Sequence, residues 1–506
     1  MIQVEDKLNI FKDKNIVVVG LARSGTGAAN LLSSLGAGVT ITDSKSGNSL
    51  ATYIEKLLPS VKVVTGGNPP EIFDSADMVV ISPGVPSTAP ALERARVKGI
   101  PVIGELELAY QVIRGKRQEA KGKGQKPAFI GITGTNGKST TTMLVDLMMK
   151  EAGFKTLLGG NIGIALTEEI LKKGARGKGQ GVGEEDMSPD YVVAEISSFQ
   201  LETIHEFRPQ VAAILNITPD HLDRYKNMEE YVDAKVRIFE NQTREDFLVL
   251  NADDPELEKV RSEKLEVGSK ELPETIYFSR RKEVKGVYLK EGMIYCNLSH
   301  VSLPTSHFPL ISQNEIKIQG VHNVENAMAA SLTALIAGCP PESIINVLRD
   351  FPGLEHRLEF AGEVNGIRFI NDSKGTNVGA VLKSLEGFDN VILIMGGLDK
   401  GSDFSLLKDL VRQRVKALIL IGKAKDRIAE ALGGITETLI ADDLQAAVDL
   451  SLSKASAGDT VLLSPGCASF DMFQDFEDRG RKFKETVRLA GATRRVARTE
   501  KINDKH

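Results

Sequence analysis

A chain of 506 residues is too long for one hydrophobic core, and at about 150 residues per domain it predicts three domains. Hydrophobic residues at 42% and charged residues at 26% are ordinary for a soluble globular protein, and a formal net charge of −5 argues against a surface built mainly for nucleic acid. Cys296, Cys339 and Cys467 lie far apart, with neither disulfide-framework nor zinc spacing, which points to a reducing, cytoplasmic setting. The amino terminus, MIQVEDKLNIFKDKN, has no apolar run of signal-peptide type. No stretch approaches the roughly 20 apolar residues that cross a bilayer, so no membrane is expected.

Short apolar runs alternate with longer segments of helical period, the pattern of an α/β protein. The first block has Ile16–Gly20, Val39–Asp43, Val61–Gly66, Met78–Gly84 and Pro101–Glu105, each rich in Val and Ile. Strands buried on both faces read this way, so parallel sheets covered by helices are predicted. Arg114–Pro127 (RGKRQEAKGKGQKP) breaks the rhythm and reads as a solvated loop at the first boundary. A second block follows, with a Gly-rich, charged insertion at Lys172–Asp190 that reads as a mobile surface loop. The second boundary falls near Phe351–Phe360, where Pro and Gly interrupt helical patterning. A third block supplies strands at Ile367–Asp372, Val391–Gly396, Ala417–Gly422 and Thr460–Ser464, which sets the expected domains at 1–114, 115–352 and 353–506.

The sharpest motif is GITGTNGKSTTT, from Gly131 to Thr142. A strand runs into a glycine-rich turn, Gly134-Thr135-Asn136-Gly137-Lys138, and a helix is predicted from Ser139 to Lys150. Backbone N–H groups of such a turn and the helix amino end form a cradle for phosphate oxygens. Lys138 suits the β- and γ-phosphates, and Ser139 or Thr140 suits a magnesium ion. The usual pattern has a glycine five places before Gly137, where this chain has Ile132.

Glu195 ends the apolar strand Tyr191–Ile196, a place that opens toward a ligand crevice in a parallel sheet. Read alone it is an ordinary strand-end acid. His221, in NITPDHLDRY, follows the strand Val211–Leu215 and is flanked by Asp220 and Asp223. Alone it reads as a structural hydrogen-bonding histidine, but two strand-end sites after one phosphate loop point to metal. Lys235 shares a helix face with Tyr231 and Ile238, and by itself reads as a lysine snorkelling to water.

With these motifs the chain resembles the Mur ligases and the related folylpolyglutamate synthetases, which form amide bonds after phosphorylating a carboxylate with ATP. The resemblance covers nearly the whole chain and implies a Rossmann-like UDP-binding domain, a central P-loop-type ATPase domain with a mostly parallel sheet, and a C-terminal Rossmann-like domain. It implies ATP and two magnesium ions. Lys138 matches the phosphate lysine, and Glu195 and His221 the magnesium ligands. Lys235 matches a lysine carboxylated to a carbamate that helps hold the second ion, chemistry that requires the neutral amine. Asn161 in GGNIG and Ser198 in ISSFQ match residues lining a muramoyl substrate, and Asn323 and Asn326 match nucleotide-site asparagines. Arg357 resembles an arginine that closes over ATP, and Asp372 an adenosine-side acid. Lys374 and Thr376 resemble nucleotide- or substrate-side contacts. Lys400, Ser469 and Phe470 resemble a pocket for the carboxylates of D-glutamate, two anions that Lys and Ser suit chemically. Taken singly, Asn323 and Asn326 read equally as cap residues, Arg357 as a surface ion pair and Lys400 as a turn residue.

In VVVGLARSGTGAANLL, Gly20, Arg23 and Ser24 form a glycine turn in which Ala22 occupies the second glycine position of a dinucleotide fingerprint. An alanine Cβ there hinders a pyrophosphate, so the domain is expected to hold a UDP-sugar rather than NAD. Asp43 suits a hydroxyl or base contact, and SPGVP, with Gly84, offers a tight turn near it. Folylpolyglutamate synthetases lack this domain, and among Mur ligases the L-alanine- and D-glutamate-adding enzymes have it. The L-alanine enzymes usually carry a histidine in the phosphate loop, where this chain has Thr-Asn. The expectation is an ATP-dependent ligase adding D-glutamate to UDP-N-acetylmuramoyl-L-alanine, a monomer with small-molecule partners only. An L-alanine-adding ligase, a P-loop NTPase or kinase, and a non-catalytic nucleotide-sugar binder are the alternatives.

Overall fold

The computed structural model describes residues 10–119, 127–177, 189–220, 224–265, 272–298, 306–318, 320–399 and 401–503. Among these residues the strands form three sheets, one in each of three α/β domains. The first contains β1 (Asn15–Val19), β2 (Gly38–Asp43), β3 (Lys62–Thr65), β4 (Met78–Ile81) and β5 (Val102–Gly104), all parallel, in the order β3-β2-β1-β4-β5. That order is Rossmann-like, with its switch point between β1 and β4.

The second sheet has nine strands: β6 (Ala128–Thr133), β7 (Thr156–Gly160), β8 (Tyr191–Glu195), β9 (Val211–Ile214), β10 (Phe247–Asn251), β11 (Glu274–Ser279), β12 (Gly286–Lys290), β13 (Met293–Asn297) and β14 (His307–Ser312). Their order is β14-β13-β12-β11-β10-β9-β6-β8-β7. The third has β15 (Glu359–Val364), β16 (Ile367–Asn371), β17 (Val391–Gly396), β18 (Val415–Ile421), β19 (Glu437–Ile440) and β20 (Thr460–Leu463), in the order β15-β16-β20-β17-β18-β19.

Pairing is parallel except at two edges. The β12-β13-β14 pairs and the β15-β16 pair are antiparallel, and the central sheet is mostly parallel, as expected. The β12-β13 hairpin turns on Glu291 at φ 51° and Gly292 at φ 80°, the two left-handed residues that a type I′ turn requires. Within the third sheet, β17 shows why such strands read as continuous apolar runs. Ile392 and Ile394 face one buried cluster while Val391, Leu393 and Met395 face the other.

Two loop readings are corrected in part. The start of the supposed loop Arg114–Pro127 continues the helix Glu105–Glu119, because Leu106, Ala109, Tyr110 and Ile113 keep a helical spacing and bury, and one glycine does not break it. Likewise the helix Leu166–Gly177 takes up the first part of the supposed insertion at Lys172–Asp190, and residues 178–188 lie outside the described residues. Among the described residues no helix is long and apolar enough to cross a membrane.

The chain divides into two compact units. The described parts of Met1–Ile217, with Glu229–Gln313 and Asn326–Val347, form one; Thr218–Met228, Asn314–Glu325 and the described part of Leu348–His506 form the other. Two buried glutamates on the helix Glu105–Glu119 join the first sheet's domain to the second within the first unit. Glu105 Oε1 accepts from the N–H (2.8 Å) and hydroxyl (2.9 Å) of Thr167, at the start of the helix Leu166–Gly177. Glu107, fully buried, accepts from the backbone N–H groups of His205 (2.9 Å), Glu206 (3.1 Å) and Phe207 (3.0 Å).

These carboxylates predict opposite responses to amide substitution. Glu107→Gln turns an amide N–H toward backbone donors and should lower the unfolding free energy by about 2–3 kcal/mol. Glu105 Oε2 has no hydrogen-bond partner among the described residues, and burial raises the pKa of this carboxyl. Its charge therefore weakens the fold once pH passes the carboxylate range, so Glu105→Gln should leave stability at pH 7 unchanged or higher. Urea denaturation of both variants checks the contrast; equal losses would contradict it.

Candidate functional site

The glycine turn of the second sheet leaves the carboxyl end of β6, which lies between β8 and β9. Ile132, at the position where the common phosphate loop has glycine, is fully buried within β6 and pairs with Glu195 and Ala213. The turn therefore begins at Gly134 (φ 150°) and closes at Gly137 (φ 86°), the N-cap of the helix Lys138–Glu151. A Cβ on Gly137 would lie 2.2 Å from Asn326 Oδ1, so only glycine permits this approach.

Side chains from later in the sequence brace the turn. Asn216 is reciprocal with Asn136: the Asn136 N–H donates to Asn216 Oδ1 (2.8 Å) and Asn216 Nδ2 donates to the Asn136 carbonyl (3.1 Å). The Thr135 N–H donates to the Asn216 carbonyl (2.9 Å), and its hydroxyl lies 3.1 Å from the Tyr231 hydroxyl. Asn326, on the helix Val321–Ile336, reaches Thr141 in the first turn after the loop at 3.5 Å. Asn216 stood inside a quoted motif without being singled out, since a reciprocal amide pair 80 residues apart leaves no local pattern.

Two ammonium groups converge on one carbonyl. Lys138 Nζ donates to the carbonyls of Gly134 (2.7 Å) and Thr135 (2.8 Å), and Lys235 Nζ donates to the same Gly134 carbonyl (3.0 Å). Lys235 is 1% exposed and its Nζ stands 4.6 Å from the centre of the Tyr231 ring. The snorkelling reading of Lys235 is thus wrong: an internal carbonyl and a ring face hold the ammonium where water was expected.

Glu195 ends β8 level with Ile132 and is 2% exposed. Asn161 Nδ2 donates to Glu195 Oε1 (2.9 Å), and the Asn161 N–H to the Glu195 carbonyl (2.8 Å). Arg23 in turn donates to the Gly163 carbonyl (2.8 Å), so the first domain's glycine turn touches the loop that carries Asn161. Ser198 (3% exposed) opens the short helix Ser198–Leu201 behind a capping box on Ser197. Ser139 (1% exposed) and Thr140 lie in the first turn after the loop, and the Thr140 hydroxyl is buried without a hydrogen-bond partner among the described residues. A buried carboxylate, two buried hydroxyls and two lysines around a helix amino end are a donor set that fits a nucleotide phosphate and a hard cation.

In the first domain Gly20 has φ 97°, and the Ser82 hydroxyl donates to its carbonyl (2.8 Å). Asp43 accepts from the N–H groups of Leu21 (2.7 Å) and Lys45 (2.9 Å), so it shapes the glycine turn beside Ser24 as well as ending β2. Gly84 is exposed, with open space where a Cβ would stand.

The second unit holds the remaining candidates. Asp372 is buried and accepts from the hydroxyls of Ser384 (2.7 Å) and Ser464 (2.8 Å). Burial pushes its carboxyl up to about 6 despite those bonds and the nearby Arg357 charge. Lys374 Nζ lies 5.3 Å from the centre of the Phe476 ring, and Thr376 is half-buried two residues on. Ser469 is 2% exposed beside Phe470 at 68%. Asn323 is buried near the start of its helix, with His322 beside it pushed down to about 4 by burial. Arg479, which sequence reading missed, is buried and donates to Ser373 and to the Cys467 carbonyl, tying together the two loops that carry Lys374 and Ser469. His221 and Lys400 lie outside the described residues.

Residues 14–104 match the N-terminal domain of the MurD-like Mur ligases, 132–334 the Mur ligase middle domain and 356–467 the Mur ligase, glutamate ligase domain. The chain is 44% identical to the UDP-N-acetylmuramoylalanine–D-glutamate ligase of Geotalea daltonii, over 95% of this chain and 98% of the relative. It is equally 44% identical to the enzyme of that name from Koribacter versatilis, over 94% and 98%. Among solved structures, MurF from Acinetobacter baumannii shares the fold at a TM-score of 0.59 and 16% identity, covering 95% of this chain and 98% of that one. The UDP-N-acetylmuramate-alanine ligase MurC from Thermotoga maritima does so at 0.55 and 19%, covering 94% and 100%. With domain matches along most of its length and relatives of this identity spanning nearly all of it, the chain belongs to the Mur ligase family.

Proposed function

We propose that this chain is an ATP-dependent ligase that joins D-glutamate to UDP-N-acetylmuramoyl-L-alanine through an acyl phosphate, supplying a peptidoglycan precursor. The convergence of Lys138 and Lys235 on the Gly134 carbonyl, beside buried Glu195, carries the reading. A plain nucleotide binder has no need for two lysines and a buried carboxylate at one glycine turn. The relatives named for this reaction support the choice of D-glutamate.

The reaction begins with transfer of the γ-phosphoryl group of ATP to the substrate carboxylate, releasing ADP. Both partners are anionic, so Lys138 and the loop N–H groups of Gly134 and Gly137 neutralise charge and align the attack, on a turn whose Thr135 and Asn136 N–H groups are held by Asn216. The amine of D-glutamate then adds to the acyl carbon, and the tetrahedral adduct loses phosphate and the amine proton to leave the amide. Ser139, Thr140, Glu195, His221 and a carboxylated Lys235 would hold magnesium, which supplies charge neutralisation at the phosphates. Asn323, Asn326, Arg357, Asp372 and Lys374 hold the nucleotide in this reading. Gly20, Arg23, Ser24, Asp43 and Gly84 hold the UDP moiety, and Asn161 and Ser198 the muramoyl end. Thr376, Lys400, Ser469 and Phe470 take the amino acid. The work divides over 1–114, 115–352 and 353–506, in a cytoplasmic monomer.

Phosphate release from ATP, magnesium and UDP-N-acetylmuramoyl-L-alanine should require D-glutamate and fall at least ~100-fold in Lys138→Ala. Release that needs L-alanine instead would move the enzyme within the family, and equal release with no amino acid would make it an NTPase.

A second expectation concerns Asp372. Its carboxyl titrates near 4 in the unfolded chain and at about 6 when folded, so the folded state holds the proton longer. Folding stability should therefore fall by about 3 kcal/mol as pH rises from 4 to 6 and stay level above. In Asp372→Asn that decline should vanish, while the KM for ATP rises. Parallel stability-against-pH curves for the two proteins would refute it.

A further inference from the structure

Arg357 sits between two non-glycine residues of left-handed backbone, His356 at φ 63° and Leu358 at φ 47°. Such backbone is unfavourable for L-residues and persists only where the surroundings enforce it. The surroundings here centre on one side chain. Asn371, the last residue of β16, is fully buried. Its amide nitrogen donates to His356 Nδ1 (2.9 Å), Glu359 Oε2 (3.0 Å) and the Gly480 carbonyl (3.2 Å), two protons shared among three acceptors. Its carbonyl oxygen accepts from the Ser373 N–H (3.2 Å).

The same groups close the strap on itself. Glu359 Oε2 also accepts from the His356 N–H (2.9 Å), and the His356 carbonyl accepts from the Lys374 N–H (2.9 Å). His356 is buried, and a ring whose Nδ1 accepts from Asn371 is neutral, with its proton on Nε2. The Leu358 N–H points to Asp372 Oδ1 at 3.4 Å. One carboxamide therefore touches the strap that carries Arg357, the loop that carries Asp372 and Lys374, and the helix Phe476–Asn503.

We propose that Asn371 is a positioning residue for nucleotide binding: its carboxamide fixes the register between the Arg357 strap and the Asp372–Thr376 loop, and so the placement of the guanidinium against that loop. The proposal rests on the reading of Arg357 and Asp372 as nucleotide-side groups. In this proposal Asn371 acts through Arg357 and its neighbours.

The test is a double-mutant cycle in the full-length enzyme, with KM for ATP, KM for the UDP substrate and kcat measured for Asn371→Ala, Arg357→Ala and the pair. Asn371→Ala should raise the KM for ATP roughly tenfold, leave the KM for the UDP substrate within about twofold, and add nothing in the Arg357→Ala background. Losses that multiply, or that fall equally on both substrates, would make Asn371 a structural residue and overturn the proposal. An unchanged KM for ATP in Arg357→Ala would instead remove the nucleotide reading of the arginine beneath it. Should Asn371→Ala fail to fold, Glu359→Gln loosens the same strap from its other side and should give the same split at smaller size.

Discussion

One backbone carbonyl, that of Gly134, organises the side chains around the glycine turn that follows β6. An ammonium group buried as deeply as that of Lys235 is costly unless acceptors meet it, and a carbonyl aimed into the site is one such acceptor. That aim depends on two glycines with backbone torsions that side chains avoid, at φ 150° and 86°. The same carbonyl takes a bond from Lys138, so both side chains are held at one end of the turn. Replacing either glycine would move both lysines together.

From that point a chain of contacts runs through the first unit. Glu195 stands level with Ile132 near the end of β6, Asn161 binds Glu195, and Arg23 binds the loop of Asn161. Glu105 and Glu107 clamp the same two domains from another helix. In the proposed reaction the UDP moiety and the reacting carboxylate are opposite ends of one substrate. The contacts between the two domains of this unit would then bear on the reach between those ends.

What the sequence made legible follows from range. Strands buried on both faces are continuous apolar runs, so β1, β2, β4, β16, β17 and β20 were placed within a residue or two at most ends. The glycine turn before the helix Lys138–Glu151 is local, and its two glycines are legible in the sequence. The short edge strands β15 and β19 lie partly in solvent and carry little apolar signal, and both were missed. The burial of Lys235 was misread because what keeps it from water is a carbonyl 101 residues away. Arg479 and Asn371 went unnoticed for a similar reason: a buried polar residue is recognised by its partners, and theirs come from separate loops.

The departure at Ile132 now has a structural reason. In the common phosphate loop, four residues separate the glycines, and the extra backbone encircles the phosphate. Here Ile132 belongs to the sheet, two residues separate Gly134 from Gly137, and the shorter turn offers fewer N–H groups. A shorter turn also has less chain with which to hold its own shape. The Asn136–Asn216 pair, the Thr135–Tyr231 contact and Asn326 against Gly137 supply that shape from outside the loop. The turn's geometry is thus set by residues on β9's exit, on the helix Met228–Val236 and on the helix Val321–Ile336. A loop braced from three directions cannot change sequence independently of its braces, so a glycine grafted at Ile132 would not convert it to the longer form. It would only weaken β6 between two strands that already pair with it.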